Sequence, residues 1–570
     1  MRHFGREMNP QHGNCDSKKT LDFVRIAFWT TGIAVGAWLT YVTRYYLNSD
    51  GLNYLDIGDA VRRGHWDALV NHTSSPAYSV MVAMAQVLLN TSPADELPWL
   101  KSINFLLFLS AMASCDLFLH QLKEDHIFSE WNLNKEIPYS LIRIVVYCAF
   151  FVASLIWIRP RLIAPDMLVF ALILVSVSMI FWIKRHPETT GGFLLLGLTL
   201  GLSYLVKTYM FLVSFLLILL AMLFVPRWKT ALARGSLTIG IVVLISLPFM
   251  TALSRDIGRL TYGGAGDYNY AVFVAGQGSP KNPPECLTER PETFLSKGTL
   301  YSSFASGSDL AKSHEGLRPR FDLRSQITVL GSNLVATVVD SPWFFLSVLT
   351  WNILQLKWAK PRVGSIIPPS KVCILLTIAK CGILLFCLVV LEMRYIAPFL
   401  FLAVPGLAYV WFYGDLEGKD RMLRDGSTYL LAVILVVLVG TSAIDQYQRA
   451  VQGEGPKQSY KAVLEENQSI ARFINSSGYG NEQDVALIEK AAGSIYWARM
   501  ANVRIVAEVS RTKDYLDASS QERALLKNKL KDRSIKLLIG KGNEFDSLSS
   551  EGWVRIPHTQ KHYILFTSEG

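Results

Sequence analysis

Four ionisable residues sit where long apolar runs end: Asp50, Asp166, Lys207 and Arg394. Asp50 directly follows the first run, and Asp166 opens another after Arg159-Pro160-Arg161. Lys207 closes the run that begins near Gly197, and Arg394 stands in Glu392-Met393-Arg394-Tyr395. Ionisable groups at membrane depth are costly and point to function. A single basic residue at a helix end is usually explained by snorkelling. Two carboxylates and two cations on one predicted face are not. Such a set suits glycosyl transfer from a lipid-phosphate sugar. Lys207 and Arg394 would neutralise the donor phosphate and stabilise it as leaving group, the arginine with a fork that matches phosphate oxygens. Asp50 or Asp166 would take the proton from the attacking acceptor hydroxyl.

These residues must be held by membrane helices. Only 18% of the 570 residues are charged, 51% are hydrophobic, and the mean hydropathy is positive; soluble chains carry about 25% charged residues. Disordered, disulfide-stapled and nucleic-acid-binding classes are thereby excluded. Spans need about 20 apolar residues. Candidates lie near 24–46, 99–121, 140–158, 166–183, 191–206, 209–226, 236–253, 341–356, 373–391, 395–413 and 427–444, eleven in all. The shorter run 76–90 is expected to lie at the interface. With the N-terminus inside, the inner segments hold 19 Lys/Arg, including Lys184, Arg227, Lys229 and Arg424, against six in the short outer stretches. That bias sets the orientation, and it makes the net charge of +10 a topology signal rather than a nucleic-acid signal. The first apolar stretch is expected to act as a signal anchor.

The expected fold is an α-helical polytopic membrane protein with a small C-terminal extracytoplasmic α/β domain. The divisions are a membrane module at 1–253 with an acidic first outer loop at 48–75, an outer loop at 254–340, membrane helices at 341–444 and the domain at 445–570. The tail carries strand-length apolar runs such as Val485–Ile488 and Ile535–Ile539 between helical stretches. Its Tyr496 and Trp497 are expected to pack its core. In the first outer loop, Asp56, Asp59 and Arg63 have helical spacing and, with Tyr54, are candidate substrate contacts, as are Arg159, Arg161 and Tyr395. His65 and His72 read as exposed loop residues. The tyrosine- and glycine-rich stretch 262–270 suits either an acceptor lid or a plain surface loop. No CxxC, HExxH or P-loop pattern occurs, so zinc and nucleotide readings have no support.

The order of these motifs resembles the GT-C integral-membrane glycosyltransferases, in particular protein O-mannosyltransferases and bacterial aminoarabinose transferases. That family has an Asp-Glu pair after the first span, then a Tyr and a Gly-x-Trp; here stand Asp50-Gly51, Tyr54 and Gly64-His65-Trp66. Its later Asp-Met looks like Asp166-Met167, its Gly-Leu-x-x-Leu-x-Lys run like Gly201 to Lys207, and its Arg-Tyr-x-x-Pro like Arg394 to Pro398. The likeness covers roughly 24–250 and 370–413. It implies a polyprenyl-phosphate sugar donor, a glycan, lipid or protein acceptor, inverting transfer at the extracytoplasmic face of a bacterial inner or plasma membrane, and Asp50 as the base or acid-site residue. Gly51 departs from the pattern. If the family's Glu binds metal or acceptor, Asp56 or Asp59 must replace it or the role is absent; a divalent metal cofactor is thus left open. The rival readings are a lipid-linked glycan ligase or polymerase, and a transporter without catalysis. Transporters usually show internal repeats and midplane charges, and neither is evident here.

Overall fold

The computed structural model describes residues 11–72, 74–124, 139–276, 285–295, 321–358, 370–412, 418–453, 458–480, 482–488 and 495–567. Most of the connection 122–139, and residues 277–284 and 296–320 of the segment 254–340, lie outside them. Each of the eleven apolar runs is helical. The first nine helices are α1 (Gln11–Val42), α2 (Ser49–Arg62), α3 (Pro76–Leu88), α4 (Glu96–Glu124), α5 (Tyr139–Phe151), α6 (Asp166–Arg185), α7 (Gly191–Val206), α8 (Met210–Met222) and α9 (Trp228–Ile257). Then follow α10 (Leu323–Val339), α11 (Pro342–Trp358), α12 (Ser370–Cys387), α13 (Met393–Phe412) and α14 (Gly418–Gln452).

Among the described residues, six helices are long and apolar enough to cross a membrane. A seventh crossing is added if α10 and α11, bent by 85°, count as one span. This stands against the eleven spans expected. Of the remaining expected spans, α7 and α8 are apolar helices of 16 and 13 residues, and the described apolar stretches of α12 and α13 are Ile374–Cys387 and Met393–Ala408. Lys207 follows the last residue of α7, and Arg394 stands in the first turn of α13.

The helices pack through large aromatic side chains. Phe150 of α5 stacks on Phe170 of α6 at 5.4 Å, and Phe401 of α13 meets Phe170 edge-on at 5.4 Å; such pairs add to plain apolar burial. At the other end of α4, Asp116 gathers Arg25 of α1 at 2.6 Å with Arg143 (3.1 Å) and Tyr147 (2.5 Å) of α5. A carboxylate buried there requires those donors.

Residues 48–75, expected as an acidic loop, are largely the helix α2, and the apolar run at 76–90 is the helix α3 as expected. Residues 51–59 of α2 are buried throughout. Proline at the first turn of α3, where its missing N–H costs nothing, starts the second.

A seven-stranded mixed sheet closes the chain, in the order β1-β2-β4-β3-β5-β7-β6. Its strands are β1 (Cys286–Thr288), β2 (Thr293–Leu295), β3 (Asp484–Ile488), β4 (Arg504–Val509), β5 (Leu537–Lys541), β6 (Trp553–Arg555) and β7 (His562–Phe566). β3 runs parallel to β4 and β5; the other pairings are antiparallel. The sheet therefore draws two strands from the 254–340 segment as well as five from the tail. Strand side chains alternate faces. Val485 and Leu487 turn toward α15 (Tyr460–Ser476), in an apolar core continuous with the membrane helices. Ala486 and Ile488 turn to the opposite core with Tyr515 and Leu526. The helix Ser520–Asp532 that covers that second face opens on a capping box, Ser519 with Glu522.

Candidate active site

The four residues singled out by their positions come together in space. Lys207 Nζ lies 2.9 Å from Asp166 Oδ1. Arg394 spans the two carboxylates, with Nη2 at 2.8 Å from Asp50 Oδ2 and Nη1 at 3.7 Å from Asp166 Oδ2. Tyr395 packs beneath both cations: Lys207 Nζ is 4.0 Å and Arg394 Cζ 5.0 Å from its ring centre. Exposure differs within the set. Asp166 is 3% exposed, Arg394 14% and Lys207 17%, whereas Asp50 is 48% exposed. Asp166 is therefore committed to holding the cations, and Asp50 is the carboxylate open to an incoming molecule. Tyr54 is buried beside them. Burial, then the Asp166 and Asp50 carboxylates, push its phenol well above its ordinary range, so it remains a hydrogen-bond donor.

Each member is positioned by local sequence. Asp50 lies in the first turn of α2, where the helix dipole favours a carboxylate. Lys207 is set by the close approach of α7 to α9. A Cβ on Gly201 would lie 2.9 Å from Ile245 Cβ, and one on Gly197 would lie 3.1 Å from the Thr238 carbonyl; small residues four apart allow this approach. Asp166 follows a turn that α5 enters through a π-helical stretch, Val152–Ile158, ending at Arg159 with φ of 64°. Such stretches cluster at functional sites. α4 clamps the turn: Asn104 Nδ2 donates to the carbonyls of Pro160 (3.1 Å) and Leu162 (2.6 Å), and Lys101 Nζ to that of Arg161. Tyr78 of α3 donates to Asn104 Oδ1 at 2.7 Å and meets Tyr54 edge-on.

Gly51, the departure from the family pattern, has a steric account. A Cβ there would fall 2.9 Å from Ile163 Cβ and 2.8 Å from Asn48 Oδ1, and Asn48 Oδ1 accepts from the Ile163 N–H. The turn before Asp166 occupies the space a larger side chain needs.

Asp56 and Asp59 do not join this set. They surround Arg499, which the C-terminal domain inserts between α2 and α4 from its short helix α16 (Tyr496–Ala501). Arg499 pairs with Glu96 through Nε at 2.7 Å and Nη2 at 3.0 Å, and Nη1 lies 3.4 Å from Asp56 and 3.8 Å from Asp59. All four side chains are at most 3% exposed. Burial alone would lower the guanidinium; Glu96, Asp56 and Asp59 outweigh it and hold it above its ordinary value. Neither aspartate can replace the missing Glu. Trp497 is buried, as expected of a packing residue, and Tyr496, also buried, donates in addition to Glu96 of α4 at 2.8 Å. Arg159 is exposed, while Arg161 is buried near Tyr46 and Tyr460 on the domain side. His65 is exposed, but His72 is buried and meets Asp256 at 2.8 Å. In the 262–270 stretch, Tyr262 stacks on Phe211 and its carbonyl accepts from Tyr204.

Sequence reasoning missed Lys101, Asn104, Glu96 and Arg499. For the first two a signal existed: polar residues three apart inside an apolar helix. For Arg499 none did. Among the described residues no three His, Cys, Asp or Glu side chains are arranged for a metal ion. Asp50 and Asp166 face cations of the protein itself, so this residue set does not fit a divalent ion between them.

No family model and no curated protein matches the chain. Solved structures do. It is similar to ArnT, an aminoarabinose transferase, from Cupriavidus metallidurans in the apo state, with a TM-score of 0.53 and 10% identity over 95% of this chain and 98% of that one. The same protein bound to undecaprenyl phosphate gives 0.52 and 10% over 96% and 98%. An Archaeoglobus fulgidus oligosaccharyltransferase in complex with Zn and sulfate gives 0.48 and 9% over 90% and 68%. At such identities the likeness is one of fold, and for ArnT it runs through membrane helices and C-terminal domain alike. The chain is an integral membrane protein with the fold of the GT-C glycosyltransferases.

Proposed function

We propose that this protein transfers a sugar from a polyprenyl-phosphate donor to an acceptor at the extracytoplasmic face. The observation that carries the reading is the meeting of Lys207 and Arg394, from helices distant in sequence, on one buried carboxylate beside one open carboxylate. The likeness of fold to ArnT bound to undecaprenyl phosphate supports the donor class. The acceptor hydroxyl attacks the anomeric carbon, and Asp50 takes its proton. The bond from that carbon to the phosphate oxygen breaks, and the electron pair leaves with the polyprenyl phosphate. Lys207 and Arg394 stabilise the growing charge. Asp166 is a positioning residue that orients both cations. A single displacement inverts the anomeric centre.

The Lys/Arg bias toward the segments read as inner supports an extracytoplasmic position for this cluster and the C-terminal domain. The test is transfer of radiolabelled sugar in membranes expressing the full chain. Asp50→Asn should abolish transfer at unchanged expression; a fully active Asp50→Asn enzyme refutes the assignment.

A further inference from the structure

Of the 17 residues of α10, only Thr337 is buried. Its exposed apolar side chains, among them Ile327, Leu334 and Val335, suit contact with lipid. A half-covered stripe runs along the other side. Gln326, Val329, Leu330, Asn333 and Ala336 follow one another there at the three- and four-residue steps of one helix face. Two amides on this stripe reach the end of α12. Gln326 Nε2 donates to the Leu388 carbonyl at 2.5 Å, and Asn333 Nδ2 to that of Cys387 at 3.0 Å. The last carbonyls of a helix have no partner within it. At α12 those of Leu384 and Phe386 accept from the N–H groups of Leu388 and Val389. Those of Cys387 and Leu388 accept from α10. The far end of α10 is fixed as well. Where it bends into α11, Ser341 Oγ accepts from Trp157 Nε1 at 2.6 Å, and Phe344 meets the Trp157 ring edge-on at 4.7 Å. Trp157 belongs to the π-helical stretch that leads to the Asp166 turn.

We propose that α10 braces the cation pair, with Gln326 and Asn333 as positioning residues for Arg394 and Tyr395. Phe386 stands on the turn that those amides hold. It packs 5.4 Å from the Tyr395 ring and edge-on to Tyr209 at 4.8 Å. Tyr395 in turn lies under both Lys207 and Arg394. Five residues separate Leu388 from Arg394, so a shift of the turn is passed on to the guanidinium. Anchoring two carbonyls therefore fixes the ring face and the cations together, as a preorganised site requires. Amides suit this task, because they donate to carbonyls without bringing a further charge to membrane depth. That the cations meet a donor phosphate rests on the transferase reading; the brace does not.

The test uses the purified full chain in detergent. Gln326→Met and Asn333→Leu each remove a donor at similar volume, and Val335→Ala is the control on the exposed side of the same helix. Hydrogen exchange read by mass spectrometry needs no ligand. In the double variant, exchange of 388–396 should quicken by about tenfold, while that of β3 and β5 stays as in the natural sequence. Each single variant should give about threefold, and these decide the matter if the double variant does not fold. Titration with undecaprenyl phosphate should show a dissociation constant raised by about tenfold in the double variant. In an Arg394→Gln background the same two changes should weaken binding by less than about twofold, because they act through the guanidinium; a merely structural loss would add in full. Unchanged exchange at 388–396, an equal effect of Val335→Ala, or full additivity with Arg394→Gln overturns the inference. If exchange responds but the natural sequence neither binds undecaprenyl phosphate nor transfers sugar, the transferase reading fails and the brace stands. If transfer proceeds and the variants exchange and bind as the natural sequence does, only the brace fails.

Discussion

Arg499 ties the C-terminal domain to α4 through Glu96 and to α2, the helix that bears Asp50, through Asp56 and Asp59. Replacing it by Met removes the guanidinium and keeps most of its volume. Breaking a buried ion pair from one side costs about 3–5 kcal/mol. The local structure places this variant toward the lower end. Asp59 retains Arg62 at 2.5 Å and Arg63 at 2.9 Å. Glu96 keeps only the neutral donors Tyr496 and Gln86, at 2.8 and 3.1 Å, so its buried charge carries most of the penalty. The expected loss is therefore about 3 kcal/mol, a large share of the roughly 5–15 kcal/mol that stabilises a domain. Unfolding of the detergent-solubilised protein, followed by tryptophan fluorescence against denaturant, measures it. Arg499→Met with Glu96→Gln should recover at least about 1 kcal/mol, because the neutral amide still accepts from Tyr496 and leaves no unmatched charge. Sugar transfer should fall in the single variant and rise again in the double, since Asp56 and Asp50 share α2. A single variant within about 0.5 kcal/mol of the natural protein, or a double variant less stable than the single, refutes this account.

Other outcomes follow from the same geometry. Lys207→Met should raise the donor dissociation constant more than it disturbs folding, because it removes one phosphate partner and leaves Arg394; titration with undecaprenyl phosphate measures this. Gly51→Ala should cost about 1–3 kcal/mol of stability and lower kcat by shifting the turn before Asp166, which thermal melting and initial rates would show. Asn104→Ala should leave two buried carbonyls without a donor and cost about 1–3 kcal/mol, read as a lower unfolding midpoint. Burial raises the Glu466 carboxyl, but His562 and the Gln560 N–H outweigh it and hold it below its ordinary value. Its stabilisation is complete above the unfolded value of about 4.3 and is lost as pH falls through the folded value. Melting temperature plotted against pH should thus decline less steeply in acid for Glu466→Gln than for the natural sequence.

The sequence by itself determined the membrane class, the positions of the helices and the charged residues at their ends. Hydropathy runs and span-end charges are local properties, and burial in the bilayer forces them to be written in consecutive residues. Asp50, Asp166, Lys207 and Arg394 were legible for that reason, since a charge at the edge of an apolar run has few structural explanations. The acidic loop was legible only in part. Asp56 and Asp59 show helical spacing, but spacing cannot tell which partner a helix face meets, and that partner, Arg499, lies more than 400 residues away in sequence. Tertiary structure alone decided that Asp166 is buried between two cations while Asp50 stays open, and that the 254–340 segment lends two strands to the tail's sheet. Those facts depend on which surfaces meet, and the contacts that settle them join residues whose separation in the chain leaves no periodic or local trace.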